Sequence, residues 1–200
     1  RTMGHQVFQV DRTHGFNLLL ETETLTAFLA SRPEIVIHLA ASSGQNSSNQ
    51  GTIFRDTLKM GMNVLDATML AGAKFMTVAS RSIYSKAPFF AKSNVKVIQE
   101  GLLHIGAASD AVGEARRALL AACSRYQAQY QRPYSFVVLP PLYGPGQPKW
   151  GALEEGRGIG FMVNSILDLA SEPEFSFSGM TAGDILDGIF IQDAAKAVVK

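Results

Sequence analysis

The chain has 200 residues, 46% of them hydrophobic and 18% charged, and a formal net charge of +1. That length suits one domain, or one domain and part of a second, around a sizeable core. The near-zero charge excludes the Lys/Arg excess that nucleic acid or an acidic membrane surface demands, and the single cysteine, Cys123, excludes a disulfide framework or multi-cysteine zinc site, so no metal is expected.

Strands and helices alternate. A strand is expected at 6–11 (Gln6 to Asp11), then a helix at 22–31 with Thr22 or Thr24 available as its cap and Pro33 stopping it. A strand at 35–40 leads to a helix at 52–71 that ends at Gly72, a normal place for a left-handed residue. A strand at 74–79 follows. In 112–130, Val112, Ala115, Leu119, Ala122, Cys123 and Tyr126 recur at three- and four-residue intervals, giving a helix with one apolar stripe. Strands at 134–139 and 188–191 come next, then a helix from Ala194 to Lys200, with Asp193 as its expected cap. The strands are short and almost continuously apolar, as strands buried on both faces are. Such alternation implies a parallel sheet with right-handed crossovers. Arg at position 1 and a helix reaching Lys200 fit a segment cut from a longer protein. No apolar run reaches the length of a membrane span and the first residues do not read as a signal peptide, so a cytoplasmic setting is expected.

Long stretches at 85–111 and 144–160 break the rhythm, each after the carboxyl end of a strand, where open parallel sheets bind ligands. Small residues after the strand at 35–40 let a diphosphate or ribose approach the backbone, although a buried strand ending in a loop reads the same. Ser80 and Ser82 end the strand at 74–79. A hydroxyl there can hold a substrate oxygen, or it can satisfy loop backbone groups, as serines often do. His104, Asp110 and Glu114 read as solvated loop or helix-surface residues and receive no role.

Taken in order, VIHLAA, ASRSIY, SRYQAQYQRPY, PLYGPGQ and FIQDAAKAV resemble the extended short-chain dehydrogenases of the NAD-dependent epimerase/dehydratase family, and its GDP-L-fucose synthase branch in particular, over about residues 5 to 199. The resemblance implies a Rossmann-like, doubly wound α/β fold lacking its first strand and most of a C-terminal substrate lobe. Residues 1–145 would be a partial dinucleotide-binding domain, and 146–200 the start of the substrate part with a returning strand and helix. It implies NADP or NAD as cofactor and a nucleotide sugar as substrate. Ser80 falls on the catalytic Ser/Thr and Ser82 on a substrate-touching position. Leu39, Ala40, Ala41 and Asn63 fall along the cofactor. Arg12 stands where an Arg meets a 2′-phosphate, and Asp11 beside it is the type that accepts from an unphosphorylated ribose, so NAD and NADP both stay open.

Several chemical positions depart from the family. Its Gly-rich phosphate turn would precede Arg1. Its Tyr and Lys, four residues apart, are Val112 and Arg116 here. Valine has no proton to give, while arginine still offers charge to a ribose. Pro141 replaces a substrate-facing Asn, and the epimerisation His falls near Gly160. The resemblance therefore implies an NAD(P)-dependent epimerase, dehydratase or reductase. The alternatives are a catalytically impaired homologue serving as a cofactor-binding, regulatory or assembly subunit, and a redeployed enzyme with other chemistry. It also implies a homodimer in which the helices at 52–71 and 112–130 pair into a four-helix bundle.

Overall fold

A computed structural model describes residues 4–42, 49–84, 103, 106–145 and 188–199. The chain divides into two compact units, Arg1–Val137 and Val138–Lys200.

In the first unit, helix α1 (Glu21–Ser31) is followed by strand β1 (Ile35–His38), helix α2 (Gln50–Ala71), strand β2 (Lys74–Ser80), a 3-10 turn (Arg81–Ile83) and helix α3 (Ala111–Tyr130). Strand β3 (Tyr134–Leu139) completes a three-stranded sheet in the order β1-β2-β3. β1 and β2 run parallel, with Ile35 opposite Lys74 and His38 opposite Thr77. Their carboxyl ends therefore lie side by side. The segments expected at 35–40, 74–79 and 134–139 are neighbours in one sheet, and the arrangement is Rossmann-like.

Local chemistry sets the element ends. Asn49 caps α2 by accepting from the Thr52 N–H at 3.1 Å. Gly72, at φ +68°, closes the helix by donating to Met69 and Thr68 carbonyls, a left-handed turn that costs glycine little. α1 begins differently from the expectation. The N-cap position is Leu20, which makes no side-chain cap, and Thr24 donates back to the Leu20 carbonyl, so neither Thr22 nor Thr24 caps the helix. Instead the Glu23 carboxylate accepts from the Asn17 N–H at 2.6 Å, placing negative charge by the helix start.

The core is built between the helices and the inward face of β2. Phe28, Val64, Leu65, Phe75, Leu119 and Cys123 are all buried in it. α2 and α3 approach closely: a Cβ on Gly61 would lie 2.7 Å from Leu119 Cδ2. Tyr126 on α3 donates to the Asp66 carboxylate on α2. Met60 and Met69 on α2 pack against this core.

The expected strand at 6–11 is not formed. Residues 5–10 carry no ladder, and Val7 and Phe8 are exposed. An apolar run becomes a strand only where another strand supplies its hydrogen bonds, and none lies beside it among the described residues. Asp11 instead caps a 3-10 turn, Arg12–His14.

In the second unit, β4 (Leu142–Tyr143) and β5 (Ile189–Phe190) pair in parallel, and helix α4 (Ile191–Val199) follows at once. The last strand is thus shorter than 188–191. Asp193 is not the cap but a first-turn residue of α4, 3.2 Å from Lys196 Nζ. Gly144 sits at φ +133° with a Cβ position only 2.8 Å from Ile191 Cγ2, so this corner has no space for a side chain.

Candidate functional site

The adjacent ends of β1 and β2 form a rim. Just after β1, Leu39 and Ala41 are exposed and Ala40 is half-buried, while the Ser42 N–H is anchored on Thr57 Oγ1 at 3.0 Å. On β2, Ser80 caps the 3-10 turn. Its Oγ lies 2.7 Å from Ser82 Oγ and accepts from the Ser82 N–H at 3.3 Å. The serines thus satisfy their own turn, and Ser80 is exposed at the rim.

The start of α3 holds that turn from behind. Asp110 caps the helix by accepting from the Gly113 N–H at 2.7 Å, and Glu114 accepts from the Ala108 N–H at 2.6 Å. The Ser82 carbonyl accepts from the Ser109 N–H at 2.8 Å and from its hydroxyl at 3.0 Å. Arg117 Nε donates to the Ile83 carbonyl at 2.6 Å, and its Nη1 donates to the Gly106 carbonyl. A Cβ on Gly113 would sit 2.4 Å from the Ser82 carbonyl oxygen, so the closeness of helix and turn depends on glycine.

Arg116, one residue away, points elsewhere. It is 3% exposed. Nη1 donates to Thr77 Oγ1 at 3.0 Å, and Nη2 donates to the Leu39 and Ala40 carbonyls at 3.2 and 2.6 Å. Burial pulls its pKa down to about 10, which leaves it charged at neutral pH. Beside it, His38 is buried and stacked on Phe75 with ring centroids 6.3 Å apart. Burial first, and the Arg116 charge second, press its pKa down to about 3. Among the described residues, nothing hydrogen-bonds His38 Nε2.

Asn63 and Asp11, also expected along the cofactor, have hydrogen-bond partners outside β1 and β2. Asn63 donates its amide to the Leu18 carbonyl at 2.8 Å. The Asp11 carboxylate takes Thr13 Oγ1, the His14 N–H and ring, and Gln9 Nε2, and these bonds hold its pKa well below the carboxylate range. Arg12 is exposed. A concavity of about 570 Å³ is lined by Val7, Phe8, Gln9, His14 and Phe16, and shares no residue with the rim. The fit to a dinucleotide is therefore divided. Ala40 and Ala41 leave the short-chained approach that a ribose or diphosphate needs, whereas Arg116 has turned its donors into the protein.

Residues 85–102, most of the long stretch before α3, lie outside the described residues, as do His104 and Gly160. Sequence reasoning missed the clamp by Arg117 and the burial of His38. The only sequence signal for the former was two consecutive arginines in a helix whose neighbours are small. Among the described residues, no helix is long and apolar enough to cross a membrane.

The sequence model of the NAD dependent epimerase/dehydratase family matches residues 2–200. No curated protein matches the chain by sequence at a significant level. Among solved structures it is similar to a GDP-L-fucose synthetase from Naegleria fowleri bound to NADP, with 22% identity, TM-score 0.71, and 91% of this chain and 59% of that chain covered. It is also similar to a GDP-D-glycero-L-gluco-heptose synthase from Campylobacter jejuni in the presence of NADPH (16%, TM-score 0.70, 96% and 64% covered). A third likeness is to the Thermus thermophilus UDP-glucose 4-epimerase in complex with NAD (20%, TM-score 0.69, 92% and 57% covered). At these identities the likeness carries the fold. The chain spans about three fifths of the length of each.

Proposed function

The chain belongs to the NAD-dependent epimerase/dehydratase family, and we propose that it binds a nicotinamide dinucleotide, NADP or NAD, together with a nucleotide sugar along the rim of β1 and β2. The observation that supports this is the parallel pairing of the two strands up to His38 opposite Thr77, after which Ala40 and Ala41 follow the end of β1 and the Ser80–Ser82 turn ends β2. The similar structures bound to NADP, NADPH or NAD, and named for GDP- and UDP-sugars, support the ligand classes. Bound, the nicotinamide supplies hydride chemistry. Ser80 and Ser82 hold a substrate oxygen at the rim, so the reaction class is epimerisation, dehydration or reduction at a sugar carbon.

A second reading is favoured by a specific observation. The α3 position from which a proton would come is Val112, and Arg116 is engaged with the strands. A chain so built binds the same ligands without hydride transfer and serves as a cofactor-binding, regulatory or assembly subunit. Cytoplasmic residence belongs to this proposal, as does pairing of two copies through α2 and α3.

The experiment is a fluorescence titration with NADPH and NADH, followed by turnover with a panel of GDP- and UDP-sugars. Turnover that falls at least about a hundredfold in Ser80→Ala establishes the enzyme. Tight nucleotide binding without hydride exchange establishes the second reading, and activity gained only in Val112→Tyr with Arg116→Lys strengthens it. No binding of either nucleotide at millimolar concentration overturns both.

A further inference from the structure

We infer that Arg116 is a clasp joining the carboxyl ends of β1 and β2, and that its charge is withheld from any ligand at the rim. Three acceptors receive its donors: Thr77 Oγ1 on β2, and the Leu39 and Ala40 carbonyls just beyond β1. Those two carbonyls lie where β1 has left its ladder, since its last paired residue is His38 opposite Thr77. Without the guanidinium they would need other donors in a region that is partly buried. Thr77 is itself fully buried, and its hydroxyl donates to the His38 carbonyl at 3.3 Å while accepting from Arg116. One hydroxyl and one guanidinium thus tie together strand, neighbouring strand and helix.

The geometry also fixes what Arg116 does not do. With 3% exposure, the side chain cannot turn to a ribose hydroxyl without breaking all three bonds and leaving a buried gap. A planar donor fork satisfying several acceptors is a job that lysine does poorly. This deepens the proposed function and rests on it only for the ligand. The rim accepts a dinucleotide through backbone approach at Ala40 and Ala41, and α3 supplies its shape without gripping the ligand.

The test compares the wild-type chain with Arg116→Met, Arg116→Lys and Thr77→Val. Arg116→Met is expected to lower the melting temperature by roughly 5–10 °C and Arg116→Lys by less. Both should speed amide exchange at Ala41 and Ser42, and NADPH affinity per folded molecule should stay within about threefold of wild type. Thr77→Val retains the charge and should shift melting and exchange in the same direction. If Arg116→Met does not fold, Arg116→Lys and Thr77→Val carry the measurement. Unchanged melting and exchange in these variants, or NADPH affinity lost tenfold or more in Arg116→Lys at unchanged melting, overturns the clasp. If the wild-type chain binds no NADPH, the ligand proposal fails, and melting and exchange still decide the clasp.

Discussion

Acid should destabilise this fold through His38 before it reaches the carboxylates. The imidazole is buried against Phe75 and beside the Arg116 guanidinium, and its pKa falls from 6.5 to about 3. Between those values the unfolded chain holds a proton on His38 that the folded chain refuses. Stability therefore rises with pH across this window and falls as the solution is acidified through it; above 6.5 both states are neutral and the dependence vanishes. At about pH 5 the unfolded imidazole lies one and a half units below its midpoint, worth about 2 kcal/mol of lost stability relative to about pH 7.5. That figure barely depends on the folded value, because any pKa well under 5 leaves the folded ring neutral. His38→Phe retains an aromatic ring against Phe75 and cannot titrate. Urea unfolding at the two pH values should show a loss in the wild-type chain larger by about 2 kcal/mol than the loss in His38→Phe. Equal losses in the two proteins would refute the placement of a buried, neutral imidazole at the end of β1 against Phe75 and Arg116.

Two further substitutions and one labelling reaction probe the packing. Gly113→Ala places a methyl 2.4 Å from the Ser82 carbonyl oxygen, so the turn carrying Ser80 must move and about 2 kcal/mol should be lost. Gly61→Ala meets only the end of the Leu119 side chain and gains helix propensity, so its melting temperature should stay far closer to wild type; the reverse order in calorimetry would contradict the contact assignments. Cys123 is buried in the core with its thiol pushed up to about 12 by that burial. An aromatic disulfide reagent at about pH 8 should label it only as fast as the protein opens, and labelling within seconds in the native state would show that it is exposed.

The helices were legible wherever a residue acts through its own conformation. Gly72 ends α2 because glycine takes the left-handed turn at little cost, and Pro33 follows α1 because proline cannot continue a helix. The strands at 35–38, 74–80 and 134–139 were legible from their apolar runs, although β1 is not buried on both faces as expected: Ile35 and Ile37 are exposed. What escaped depends on distant partners. The run at 6–11 has the composition of a strand, but pairing is decided by a neighbour. Thr24 looks like a cap, yet its hydroxyl turns back to the Leu20 carbonyl. Asp110 and Glu114 read as surface residues and are indeed not in the core, but each ties down a backbone N–H at the start of α3. At the rim, the serines were found because a strand's end announces itself. The allegiance of Arg116 was not, because nothing in its own neighbourhood in sequence says that its acceptors lie on two other strands.

Arg116 follows Leu39 by 77 residues and Ala40 by 76. A ribosome adding roughly 5–20 residues each second completes β1 some 4–15 s before that guanidinium is even made. Through this interval the two carbonyls lack that donor. The joint between β1 and β2 therefore closes only once α3 has been made, and a chain stalled before α3 would present both strands without the arginine that fastens them.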